Sequence, residues 1–179
     1  MSVPHARGNV PRSVARRETH ACPGSPAVRP PPAQDSDESG RLTLRDGTAA
    51  HLRPARPEDR EALARFFREL SPESLYRRFL SASPPGPELI ARLAAGGDPH
   101  SASTLVVTRV SEGEPRIVAT GSYTARDAES AEVALAVADA FRGKGLGTLL
   151  LERLALLAVR SGFVRFWAIT SADNGAARR

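Results

Sequence analysis

The sequence is poor in the residues that most often announce a site. It has one cysteine, Cys22, so neither a disulfide nor a cysteine-rich metal site can form within it. Its four histidines, His5, His20, His51 and His100, stand far apart without ligand spacing, and no metal is expected. Aromatic residues make up only 5%, which leaves Leu, Val and Ala to build the core. No apolar run approaches the roughly 20 residues that span a bilayer. The first 30 residues carry several Arg but no apolar stretch of the secretory kind. These absences predict a soluble, cytoplasmic protein with no membrane partner.

Lysine is nearly absent as well: Lys144 is the only one among 25 basic residues. The formal net charge of +5 invites a nucleic-acid reading. The Arg residues are scattered, however, and aromatics do not interleave with them, whereas a nucleic-acid footprint is a patch or stripe. No nucleic acid is expected as a partner. Scattered positive charge suits solubility and some attraction for acidic ligands.

A length of 179 residues implies one domain plus a tail. Residues 1–40 hold seven of the fifteen prolines, including Pro30-Pro31-Pro32, and then the acidic Asp35-Ser36-Asp37-Glu38. So few large apolar residues cannot offset the entropy of ordering, and the segment is expected to be a disordered Pro/Arg-rich tail. Residues 41–179 form the predicted domain. Residues 48–53 read as a strand after the Asp46-Gly47 turn. Pro57 opens a helix that carries Leu63, Phe66, Phe67 and Leu70 at helical spacing. Ser71 caps a second helix bearing Leu75, Tyr76, Phe79 and Leu80. A third starts near Pro87 and ends at Gly96-Gly97.

Strands are then predicted over residues 104–110, 116–123 and 131–138, with turns at Glu112-Gly113-Glu114 and at residues 127–130. A helix over residues 145–160 is apolar nearly all round and is expected to be buried. Residues 163–170 read as an interior parallel strand. The third of these strands, the long helix and the last strand make a β-α-β unit. The predicted fold class is α/β (α+β), a mixed central sheet with helices on both faces.

The junction between that strand and the long helix carries the chemistry. In Arg142-Gly143-Lys144-Gly145-Leu146-Gly147 three glycines free the backbone N–H groups to meet a ligand. The helix N-terminus adds unpaired donors and partial positive charge, which together favour phosphate. A Walker A loop needs Ser or Thr after Gly-Lys, and here Lys144 precedes Gly145. A dinucleotide loop needs a third glycine where Thr148 or Leu150 stands. Residue types alone leave a ligand-free glycine turn open.

The loop resembles the motif of the GNAT N-acetyltransferases: Arg or Gln, two residues, Gly, one residue, then Gly or Ala. Arg142, Gly145 and Gly147 hold those places. The segments Arg53-Pro54-Ala55-Arg56-Pro57-Glu58-Asp59, Ser71-Pro72-Glu73-Ser74-Leu75-Tyr76-Arg77-Arg78-Phe79 and Ala131-Glu132-Val133-Ala134 look similar to the Pat-type bacterial protein lysine acetyltransferases. The resemblance implies an acetyltransferase that uses acetyl-CoA and a protein lysine amine as acceptor. Its pyrophosphate would lie on Arg142, Gly143, Lys144, Gly145, Leu146, Gly147 and Thr148. The pantetheine arm would pair with the backbone around Leu135, Ala136 and Val137, and Asn174 would contact the same arm. Alternation places Val133, Leu135 and Val137 on one face and Glu132, Ala134, Ala136 and Ala138 on the other.

A lysine amine with a pKa near ~10.4 must lose a proton to react. Glu132, at the start of an apolar strand, is the candidate base, as the resemblance also implies. The family often uses a tyrosine as general acid, and neither Tyr76 nor Tyr123 stands at the matching place. The last helix and final two strands of the family are expected to be missing after Arg179. That would leave residues 163–170 as an exposed edge strand through which the protein self-associates. A small-molecule amine acetyltransferase and a catalytically impaired acyl-CoA-binding module are the alternative functions.

Overall fold

The computed structural model describes residues 39–169. Its sheet begins with a hairpin that sequence reasoning half foresees. Gly47 turns with φ +78°, and Asp46 Oδ1 accepts the Thr48 N–H at 3.0 Å. This joins β1 (Gly40–Thr43) to β2 (Ala49–Pro54). The predicted strand at 48–53 is β2, but β1 was not expected. Leu42 is buried between exposed Arg41 and Thr43, and four residues are too short a run for alternation to register.

The three helices that follow start and stop where their punctuation predicts. Pro57 opens a 3-10 turn (Pro57–Asp59) that leads into α1 (Arg60–Glu69). Arg53 grips Asp59 through two hydrogen bonds of 2.6 and 2.7 Å, which fixes the end of β2 to the start of α1. Ser71 caps α2 (Pro72–Phe79) by accepting the Ser74 N–H at 3.2 Å. α3 (Pro87–Ala94) ends before Gly96 and Gly97, both at positive φ. Then come β3 (Ala102–Ser111), β4 (Glu114–Ala125), β5 (Ser130–Val137), α4 (Leu146–Arg160) and β6 (Arg165–Trp167).

The six strands lie in chain order, β1-β2-β3-β4-β5-β6. All pairs are antiparallel except β5 and β6, which are parallel, as a crossover through α4 requires. Helices cover both faces. On one, Leu63, Phe66, Phe67, Leu75, Ile90 and Leu93 of α1–α3 pack on Val106, Ile117 and Ala136. On the other, Leu146, Leu150, Leu154 and Leu157 of α4 pack on Leu52, Leu105, Ala119, Tyr123 and Val133. Gly121 lets α4 settle: a Cβ there would stand 2.9 Å from Leu154 Cδ1 and 2.8 Å from Leu135 Cδ2.

Two expectations need correction. α4 is not buried all round, because Leu151, Leu156 and Val159 are 41%, 46% and 68% exposed. The stripe through Leu146, Leu150, Leu154 and Leu157 meets the sheet with Leu149 partly buried beside it, while Leu151 and Leu156 face outward. The last strand is also shorter than residues 163–170 and is not interior among the described residues. Pairing covers only Arg165–Trp167, and Val164, Trp167 and Ile169 are exposed. An apolar run signals burial potential, and here the register with β5 ends before that potential is used. Asn174 and the turn predicted around it lie outside the described residues. Among the described residues no helix is long and apolar enough to cross a membrane.

Candidate active site

The glycines of the loop do what their positions require. Gly143 (φ +73°) and Gly145 (φ +89°) adopt left-handed conformations, with Arg142 extended before them. This reverses the chain from β5 into α4. Gly145 is the N-cap of α4 and offers no side-chain cap, so among the described residues the N–H groups of Leu146, Gly147 and Thr148 are left for water or a ligand. A Cβ built on Gly143 or Gly147 would meet nothing within 4 Å, so the backbone there is open. This is a cradle of donors at the positive end of a helix, fit for phosphate oxygens.

The two charged side chains of the loop are both engaged. Lys144 Nζ lies 2.8 Å from Asp46 Oδ2 and over the Phe141 ring. The hydrogen bond from Lys144, aided by Thr48, holds the Asp46 carboxyl well below the usual carboxylate range. The β1–β2 turn thereby reaches the cradle, and the Arg45 side chain rests beside Gly145. Arg142 turns the other way. Its Nη2 donates to Ser74 Oγ and lies 3.3 Å from Asp139 Oδ1. Asp139 Oδ1 also accepts from Ser74 Oγ (2.6 Å) and Ser71 Oγ (2.9 Å), and its Oδ2 accepts the Ser71 N–H (2.9 Å). Burial pushes the Asp139 carboxyl up, but the bonds from Ser74 and Ser71 and the charge of Arg142 outweigh it, and its pKa is lowered. This network locks the N-terminus of α2 to the loop. Ser71 is the expected cap, whereas the pairing of Ser74, present in the sequence only as part of a motif, with Asp139 spans 65 residues and leaves no local signal.

β5 supplies the second feature. Its ladder to β4 runs from Ala131 to Val137, but its ladder to β6 ends at Glu132, opposite Trp167. Among the described residues the outer backbone edge of residues 133–137 therefore has no strand partner, and Leu135, Ala136 and Val137 lie on it. Leu135 and Val137 pack toward the α4 side, and Ala136 packs toward α1–α3. The predicted alternation is the observed one. The freed edge can pair with an extended, amide-bearing ligand leading to the cradle.

Glu132 stands where that edge begins, on the α1–α3 side, half-buried and opposite Thr124 of β4. Its surroundings differ from the apolar ones expected. Arg78 of α2 lies over the same strip and donates to Ser122 Oγ at 3.3 Å, and Ser122 is paired with Ala134. Burial pushes the Arg78 guanidinium down to about 10, and the negative charge of Glu132 works against that. Arg78 lies within the Ser71–Phe79 motif, whose residue pattern alone assigns it no role.

The geometry thus offers an anion cradle, a bare strand edge leading from it and a carboxylate at the far end. A cleft of about 410 Å³ exists elsewhere, between α1 and α3. None of its lining residues, which include Arg60, Ala64, Pro87 and Ile90, belongs to β5, the loop or α4. No polar groups of the loop or β5 converge there, so it is not the site.

Comparison with known proteins identifies the family. Residues 60–179 match the Acetyltransferase (GNAT) family. The chain is 34% identical over 138 residues to "Acetyltransferase PA5475" of Pseudomonas aeruginosa, covering 76% of this chain and 74% of that protein. It is also 34% identical over 138 residues to "Acetyltransferase Pat" of Mycolicibacterium smegmatis, covering 77% of this chain but 41% of that longer protein. Among solved structures, the GNAT domain of S. lividans PAT superposes with a TM-score of 0.69 at 29% identity, covering 78% of this chain and 82% of that domain.

Proposed function

The chain belongs to the acetyltransferase (GNAT) family, and from that premise we propose that it transfers acetyl from acetyl-CoA to the side-chain amine of a protein lysine. The observation that carries this reading is the coincidence of three features on one β-α-β unit: the uncapped start of α4, the freed edge of β5 and Glu132 at its head. The protein-lysine acceptor rests on the similarity to Pat-type proteins.

The roles join the chemistry of the chain's own groups to what the family resemblance implies. The N–H groups of residues 143–148, with Arg142 and Lys144 beside them, hold the pyrophosphate. The backbone of Leu135, Ala136 and Val137 pairs with the pantetheine amides and fixes the arm in line, and Asn174 is assigned to the same arm. Acetyl-CoA supplies an activated acyl group as a thioester. Glu132 accepts the proton that the attacking amine must shed, directly or through water. The network of Ser71, Ser74, Asp139 and Arg142 keeps α2 and the loop at a constant separation, so that acceptor and cofactor meet in one geometry. We assign residues 41–179 to the catalytic domain and residues 1–40 to a tail.

Isothermal titration with acetyl-CoA, followed by thiol-release assays with lysine-bearing proteins and with free amines, tests the proposal. Binding plus release on a protein acceptor is the expected result. Release only with free amines would replace the acceptor, and binding without release on any amine would reduce the chain to an acyl-CoA-binding module.

A further inference from the structure

Arg78 is a costly residue in its place. It lies on the inner side of α2, its guanidinium 4.7 Å from the centre of the Phe79 ring and hydrogen-bonded to Ser122 Oγ. Its Nε is buried without a hydrogen-bond partner among the described residues. A buried cation needs compensation, and Glu132 compensates only in part, because burial still pushes the guanidinium down to about 10. The other charges of the elements packed around this strip are already engaged. Arg77 is paired with Glu73, Arg165 with Glu129, and Arg126 lies over Trp167.

The position of Arg78 matters because of where the cofactor would end. With phosphates at the α4 start and the arm along the freed edge of β5, four residues from Val137 back to Val133 span roughly 13 Å. The reacting sulfur would then lie near residues 133–134. Ser122, which anchors Arg78, pairs with Ala134. No tyrosine is placed to protonate that sulfur. Tyr76 is 48% exposed, and Tyr123 is fully buried with its hydroxyl donating to Pro99 O at 2.8 Å.

We propose that Arg78 balances the negative charge left on the cofactor sulfur, so that the thiolate departs without a protein acid. This rests on the acetyl-CoA reading given above. The amine lone pair attacks the thioester carbonyl carbon and forms the C–N bond. The C–S bond breaks, its electron pair stays on sulfur, and the amine proton passes to Glu132. The thiolate forms opposite Arg78 and takes its proton afterwards from solvent, to which Glu132 also returns its own.

The test uses CoA itself and needs no turnover. The ultraviolet absorbance of the thiolate, followed against pH for CoA bound to the protein, reads the charge beside the sulfur. In the parent, bound CoA should ionise at least about one pH unit below free CoA, as a neighbouring cation requires. Arg78→Met, which keeps the apolar stem, should abolish that difference, and Arg78→Lys should retain most of it. In turnover, Arg78→Met should lower kcat about 100-fold while acetyl-CoA affinity changes by less than about threefold. A purely structural Arg78 would not be rescued by Lys and would not move the thiol titration. Should Arg78→Met not fold, Ser122→Ala, which frees the guanidinium from its anchor, should weaken the difference. An unchanged titration in the folded Met variant, or in Ser122→Ala where Met fails to fold, overturns the proposal. Glu132→Gln should keep the thiol difference while losing turnover, so the base and Arg78 fail separately. Absence of CoA binding to the parent would overturn the cofactor reading together with this one.

Discussion

Replacing Gly145 separates the fold from the site. Its φ of +89° is one that residues with a Cβ avoid, at a cost of about 1–2 kcal/mol. A new Cβ would stand 3.4 Å from Arg45 Nε, the far part of a flexible side chain, so the contact adds little to the backbone cost. Gly145→Ala should therefore lower stability by about 1–2 kcal/mol, or roughly 3–8 °C in Tm for a domain of this size. Gly145→Glu should cost no more, because a carboxylate at a helix N-terminus is favourable by about 0.3–1 kcal/mol. If phosphates bind there, however, the same charge must repel them. Gly145→Glu should then lose acetyl-CoA binding by more than tenfold at a Tm equal to or above that of Gly145→Ala. Gly147→Ala is the internal control. It sits inside α4 with open space around a Cβ and should gain about 1 kcal/mol from helix propensity. It should leave binding nearly intact, since the family motif admits Ala there. Thermal unfolding and isothermal titration on the three variants decide the matter. Parent-like affinity in Gly145→Glu would refute the cradle, whatever the stabilities.

Three further outcomes follow from named contacts. Glu132→Gln should keep acetyl-CoA affinity and lose about 10²–10⁴ in kcat, measured by thiol release; equal rates in mutant and parent would return Glu132 to the surface. Asp46→Asn releases Lys144 from its carboxylate and should tighten acetyl-CoA binding at low ionic strength, the gain fading as salt screens it; titration at two salt concentrations checks this. Asp59 and Asp139 have pKa values depressed in the fold, so their stabilisation is present above the unfolded value near ~3.9 and is lost as pH falls through the folded values. Stability should fall on acidification below about pH 4, and Asp59→Asn should flatten that fall while weakening the protein near neutral pH; denaturant midpoints at pH 7, 4 and 3 measure both.

What could be read from the sequence was what repeats or punctuates locally. Pro57, Pro72 and Pro87 open helical turns, Ser71 caps, and Gly96 and Gly97 stop a helix because each acts through its own dihedrals or its immediate neighbours. The alternation of β5 sorts Glu132 from Val133 for the same reason. The glycine loop was legible because φ is a property of one residue, and Gly143 and Gly145 take the left-handed values that only glycine takes freely. The overestimates share a cause too. The leucines of α4 and the apolar run around Trp167 report how much surface can be buried, not how much a neighbour covers.

The side chains that surround the candidate site were not legible, and their spacing says why. Arg142 meets Ser74 across 68 residues, Ser74 meets Asp139 across 65, and Arg78 meets Ser122 across 44. None of these pairs leaves a periodic trace, because each depends on α2 crossing over β4 and β5. Each contact also joins α2 to the segment around β5 or to its partner β4. The chemistry proposed for β5 and its loop therefore depends on how α2 is held: Leu75 and Phe79 seat it in the core, and polar contacts at its N-terminus and at Arg78 fix it to the loop and to β4. A substitution at Ser71, Ser74 or Asp139 should then disturb catalysis without touching cofactor, by letting Arg78 drift from the strip it faces. The physical consequence is that the base can be named from the strand alone, while its working geometry is written in a helix about fifty to sixty residues upstream.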